Sequence, residues 1–79
     1  MEIKVLGSGC SKCKKLHEAV QDAVKELNAN ATVLYVTNME EIMQTGIMST
    51  PGLMINGKVK SMGRVPKIKE IKQMISDEL

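Results

Sequence analysis

Apolar and polar side chains alternate over the first six residues. Ile3 and Val5 fall on one side of an extended segment and Glu2, Lys4 and Leu6 on the other, which predicts a strand over residues 2–6. If that strand is central in a sheet, Lys4 has to lay its stem along apolar neighbours and carry its ammonium to an edge. Gly7-Ser8-Gly9 then allows the backbone to bend tightly. From about Cys10 to Leu27 the period becomes helical. Cys13, Leu16, Val20, Ala23, Val24 and Leu27 make one apolar stripe, and Lys14, Lys15, Glu18, Gln21, Asp22, Lys25 and Glu26 hold the remaining surface. Cys13 opens the stripe, whereas Cys10 lies at the exposed tip. Asn28-Ala29-Asn30 ends the helix, and residues 31–36 read as a second strand through Val33, Leu34, Tyr35 and Val36.

Asn38 with Glu41 three residues later is a capping-box-like start for a short helix, and Gly46 is its natural stop. Thr50-Pro51 introduces an apolar run, Leu53-Met54-Ile55. Asn56-Gly57 after it is the strongest short hairpin signal, and Lys58-Val59-Lys60 is the return strand. Gly63-Arg64-Val65 reads as a loop. Pro66 fits the first position of a last helix, with Ile68, Ile71, Ile75 and Leu79 as its apolar face. The order β-α-β-α-β-β-α predicts an α/β fold. Its first two strands should be parallel through a right-handed crossover and its last two an antiparallel hairpin, giving a four-stranded mixed sheet flanked by helices. The chain shows no internal repeat, linker or low-complexity segment. Its 79 residues are expected to form a single domain over 1–79, near the lower size limit for a self-sufficient core.

Composition changes this picture in one respect. With no Phe, no Trp, one Tyr and seven Met, the interior has to be filled by Ile, Val, Leu and Met. Met39, Met43, Met54 and Met74 fall within apolar stretches away from the cysteines, so packing is the expected role, not a copper–thioether site. The net charge of +2 is too small to indicate a nucleic-acid or membrane surface. Lys58, Lys60, Arg64, Lys67, Lys69 and Lys72 cluster with only Glu70 among them, which a solvated face explains; a docking surface for an acidic partner is the competing reading. No apolar run has the length of a membrane span. Met1-Glu2-Ile3-Lys4-Val5 is not a basic segment leading into a signal-peptide core, so a cytoplasmic location is expected.

The only two cysteines are Cys10 and Cys13, in the run Cys10-Ser11-Lys12-Cys13. As a mere staple the pair would close a four-residue loop and stabilise weakly. As a zinc site with His17 it is short of a fourth ligand. As a soft-metal module it would offer copper(I) a thiolate pair after a first strand. Against that stand Ser8, where such modules usually carry a methionine, together with the late hairpin and the terminal helix. As a redox dithiol it has the right setting, because free N–H groups and the dipole at a helix N-terminus favour a thiolate, with Lys12, Lys14 and Lys15 nearby. Cys10 is then the attacking thiolate and Cys13, on the apolar stripe, the resolving thiol. His17, one turn beyond Cys13, is either placed to tune the thiols or, the preferred reading, a residue at the edge of the apolar face.

Several motifs together resemble one family. They are Gly7-Ser8-Gly9-Cys10-Ser11-Lys12-Cys13, Thr50-Pro51 before the third strand, Ile55-Asn56-Gly57-Lys58-Val59 across the hairpin, and Gly63-Arg64-Val65-Pro66 before the last helix. The chain resembles, over nearly its whole length, the small thioredoxin-like, glutaredoxin-sized redox-active disulfide proteins of archaea and bacteria. That resemblance implies a thioredoxin-like fold and protein thiol–disulfide oxidoreductase activity, with electron transport and redox homeostasis as its setting. It implies no cofactor beyond the Cys10–Cys13 disulfide. Its implied partners are target protein disulfides and a thioredoxin-reductase-like electron donor, without nucleic acid or membrane, and the protein acting as a monomer. It also implies that Pro51 is cis and lies against the cysteine pair, that Thr50 offers backbone groups to an extended substrate peptide, and that Gly63 keeps the adjacent loop close. The chain departs from the usual signatures in lacking the aromatic residue and Gly-Pro of the thioredoxin motif, the Pro-Tyr of the glutaredoxin motif, and a Gly-Gly-x-Asp stretch.

Overall fold

Seven elements follow in the order that the side-chain pattern predicts. In the computed structural model, which describes residues 1–79, they are β1 (Glu2–Leu6), α1 (Ser11–Leu27), β2 (Thr32–Val36), α2 (Met39–Gln44), β3 (Gly52–Ile55), β4 (Lys58–Met62) and α3 (Ile68–Ser76). The strands form one sheet in the order β2-β1-β3-β4. β1 pairs in parallel with β2, and antiparallel with β3. β3 and β4 make the antiparallel hairpin. At its turn Asn56 and Gly57 both take positive φ, 51° and 81°, the backbone that a two-residue hairpin of this hand requires.

The alternation in β1 divides the interior in two. Ile3 and Val5 join Leu53 and Ile55 under α1 and α3, where Leu16, Val20, Ala23, Ile71 and Ile75 complete the larger core. Leu6 points to the opposite face and packs with Met54, Ile42 and Ile47 beneath α2. β3 is therefore buried on both faces, and all four of its residues are buried. β1 is central, and Lys4 behaves as the pattern demands, reaching out to Glu2 at 3.7 Å with its side chain part-exposed. The loss of water from these apolar surfaces is the main driving force holding the layers together.

Some expectations need correction. Pro66 does not open the last helix: it is buried in the preceding loop, Lys67 takes an extended conformation (φ −67°, ψ 152°), and helix starts at Ile68. Of the face assigned to that helix only Ile71 and Ile75 are buried. Ile68 stands on the first turn, and Leu79 lies beyond the last one and is exposed. Met39 and Met43 are not core residues but are 52% and 71% exposed, because the six-residue α2 presents only Ile42 to the sheet. β4 also runs two residues further than its apolar signal, to Met62. A bulge makes this possible: Met54 faces Val59 while Leu53 faces Ser61, which leaves Lys60 unopposed.

Candidate active site

The cysteine pair is placed by the end of one strand and the start of one helix. Beyond Leu6 the parallel ladder continues for one more hydrogen bond, from Gly7 N–H to Val36 C=O at 3.0 Å. Gly9, at φ +90°, turns the chain into α1. Cys10 is the N-cap residue, extended at φ −66° and ψ 166°. Its carbonyl accepts from Lys14 N–H at 3.0 Å, and its Sγ accepts from Cys13 N–H at 3.3 Å, the position that Ser or Asp oxygen takes in ordinary caps. The two residues are joined as a disulfide with their Cα atoms 5.1 Å apart. They are unequal: Cys10 is exposed, while Cys13 is fully buried at the head of the α1 stripe. The first turn of α1 contains no acidic residue. Lys12, Lys14 and Lys15 are exposed, and none is among the residues that form ion pairs.

Thr50, Pro51 and Gly63 are brought together at a second point. The Thr50-Pro51 peptide bond is cis, and Pro51 is fully buried. Its carbonyl accepts from Gly63 N–H at 2.9 Å. Gly63 has φ +74°, and a side chain there would come within 2.6 Å of Ser49 Oγ, so the loop after β4 lies directly on the loop before β3. Thr50 is half-buried, and neither its N–H nor its C=O makes a backbone hydrogen bond within the chain. The two groups share one end of the sheet. Leu6 is paired with Gly52, and carrying that antiparallel register one residue further brings Gly7 level with Pro51.

His17 lies one turn beyond Cys13, half-buried, with its ring 4.8 Å from that of Tyr35. It sits at the border of the apolar face, as its spacing indicates. Two contacts at the site were invisible in the sequence. Gly7 packs against the Cys13 side chain, and Ser49 against Gly63. A glycine needed for space carries no sequence mark that distinguishes it from one needed for a turn.

The comparisons with known proteins bear on this geometry. Residues 1–76 match the family model described as the thioredoxin domain. The chain belongs to the thioredoxin family. Among its relatives is a thioredoxin of Methanothermobacter thermautotrophicus, 38% identical over 76 residues, an alignment that covers 96% of this chain and 99% of that one. A thioredoxin of Methanocaldococcus jannaschii is 34% identical over 77 residues, covering 98% and 88% of the two chains. Among solved structures, thioredoxin 1 of Thermosipho africanus superposes with a TM-score of 0.68 at 23% identity, covering 99% of this chain and 93% of that one. The germline-specific thioredoxin Deadhead of Drosophila melanogaster superposes at 0.69 with 13% identity, covering 99% and 80%. These two likenesses establish the thioredoxin fold. With a Cys10–Cys13 disulfide on that fold, the protein is a thiol–disulfide oxidoreductase, and family membership decides between exchange and soft-metal binding for the C-x-x-C in favour of exchange. No helix is long and apolar enough to cross a membrane.

Proposed function

We propose that this thioredoxin-family chain, acting as one domain over residues 1–79, reduces disulfides in other proteins with Cys10 as nucleophile and Cys13 as resolving thiol. The observation that carries the assignment is the unequal exposure of the two sulfurs: Cys10 open to solvent, Cys13 fully buried. A bulky target can reach only the first. On reduction a Cys10 thiolate finds the Cys13 N–H already directed at it and the positive end of the α1 dipole behind it, with the exposed Lys12, Lys14 and Lys15, which form no ion pair, following it in the sequence. It attacks one sulfur of the target disulfide, forming a Cys10–target bond and expelling the other target sulfur as a thiolate, which takes up a proton. Cys13 then gives up its proton and attacks Cys10 Sγ. The Cys10–Cys13 bond forms, the Cys10–target bond breaks, and the second target sulfur leaves as thiolate. Two electrons have passed from the pair to the target, and no metal or organic cofactor is called for.

Thr50, Pro51 and Gly63 form the docking side of this reading. The unbonded Thr50 backbone can add an extended target segment as a short strand, and Gly63 holds the supporting loop to Pro51. An electron donor of the thioredoxin-reductase type, acting on a monomer in the cytoplasm, completes the cycle. The test is a pair of single variants in an insulin-reduction assay. Cys10→Ser should abolish reduction. Cys13→Ser should accumulate a covalent adduct with the target that dithiothreitol releases. Parent-like turnover by both variants would defeat the proposal.

A further inference from the structure

We infer that Gly7 is a positioning residue for Cys13, whose backbone forms the wall that seats the Cys13 sulfur for closure onto Cys10. The two glycines of Gly7-Ser8-Gly9 serve different ends. Gly9 has φ +90° and nothing within 4 Å of where a side chain would go, so its need is conformational. At Gly7 no positive φ obliges a glycine. Its need is spatial: a methyl group there would lie 2.8 Å from Cys13 Cβ and nearer still to Cys13 Sγ.

Neither side of this contact can withdraw freely. Gly7 is buried and tied to β2 by its hydrogen bond to Val36. Cys13 belongs to the same helix face as Leu16, Val20 and Ala23, all fully buried. A closely packed interior relieves such an overlap chiefly by moving the side chain that can still rotate. In the dithiol, Cys13 can swing its thiol about χ1 away from position 7, which relieves the overlap at Sγ, while the overlap at Cβ is common to both redox states. In the disulfide Cys13 cannot swing away, because its sulfur is bonded to Cys10. A larger residue at position 7 therefore opposes the oxidised form more than the reduced form. It also opposes the resolving step, in which Cys13 Sγ attacks Cys10 Sγ and the target thiolate leaves.

This rests on the assignment of Cys13 as resolving thiol, which the Cys13→Ser adduct tests separately. The experiment here is equilibration of parent and Gly7→Ala with glutathione redox buffers, read as the fraction oxidised. Gly7→Ala should lower the equilibrium constant for forming the Cys10–Cys13 disulfide by about tenfold, a rise in potential of about 30 mV. Its mixed disulfide with glutathione should be resolved more slowly. An unchanged equilibrium constant in a variant whose thermal midpoint has fallen would overturn the proposal, since a purely structural glycine would behave in that way. If Gly7→Ala does not fold, Gly7→Ala/Cys13→Ala removes the sulfur that it meets. Recovery of the fold in that double variant supports the contact as the cause, and failure to recover overturns it.

Discussion

Ser61 is the one buried polar side chain of the core, and its hydroxyl finds no hydrogen-bond partner. It is there because the β4 bulge rotates the strand so that Ser61 faces Leu53, on the side of the larger core. A buried donor without a partner loses its hydration for no return, whereas an apolar group of similar size loses nothing. Ser61→Ala should therefore be neutral or stabilising, by up to about 1 kcal/mol on the scale of one unsatisfied hydroxyl. Urea denaturation of the two proteins reads this directly, and a loss above about 1 kcal/mol would mean that the hydroxyl has a partner in solution. The same scale shows what the cysteines gain from their neighbours. Cys13 is inaccessible because α1 turns it inward, and Cys10 is accessible because the N-cap residue stands outside the helix's own contacts.

At the scale of elements, α2 is the least secured part of the fold. It has six residues, buries Ile42 alone, and depends on its start: Asn38 Oδ1 accepts from Glu41 N–H at 3.1 Å. Asn38→Ala removes that cap and should cost about 1 kcal/mol, measurable as a lower urea midpoint with an unchanged slope. An unaltered midpoint would show that the Ile42 contact alone holds the helix. The cap was readable in the sequence because Asn38 and Glu41 act over three residues. The α1 stripe, the Asn56-Gly57 turn and the alternation of β1 were readable for the same reason: each is a local pattern with one period or one turn geometry. The unequal placing of Cys10 and Cys13 came with the stripe. What the pattern could not convey arises between distant segments. Pro66 carries a helix-start signal, yet burial of its ring in the loop wins and delays the helix to Ile68. Met39 and Met43 have core chemistry, but a short helix has too little inner face to use them. The Gly7–Cys13 contact depends on how β1 and α1 meet, and so has no counterpart in spacing.

The molecule has two ends with separate duties. The redox end lies where β1 finishes, at Leu6 and Gly52. The opposite end is the hairpin turn, tied to the start of β1 by Glu2 N–H donating to Asn56 Oδ1 at 3.0 Å and Asn56 N–H to Glu2 C=O at 2.8 Å. Near this end the segment after α3 is held to β4: Glu78 accepts from Lys60 Nζ at 2.9 Å and is paired with Lys58 at 3.3 Å. The unopposed Lys60 of the bulge is thus half of a link between the hairpin and the chain's last residues. Hydrogen bonds from Lys60, then Lys58, hold the Glu78 carboxyl below its ordinary value of 4.5. The folded state consequently binds this proton less readily than the unfolded chain does. The link's contribution is complete above the ordinary carboxylate value, and fades as pH falls through the lower folded value. Glu78→Gln should lower thermal stability near neutrality and flatten its decline on acidification, so that the curves converge at low pH. Exposure of Lys58 makes the difference shrink in high salt. Thermal midpoints of the two proteins across about pH 3 to 7 decide the matter, and parallel curves would rule the link out. Because Glu78 stands away from Cys10 and Cys13, insulin reduction at neutral pH should be the same in both, which separates what holds this end together from what the other end does.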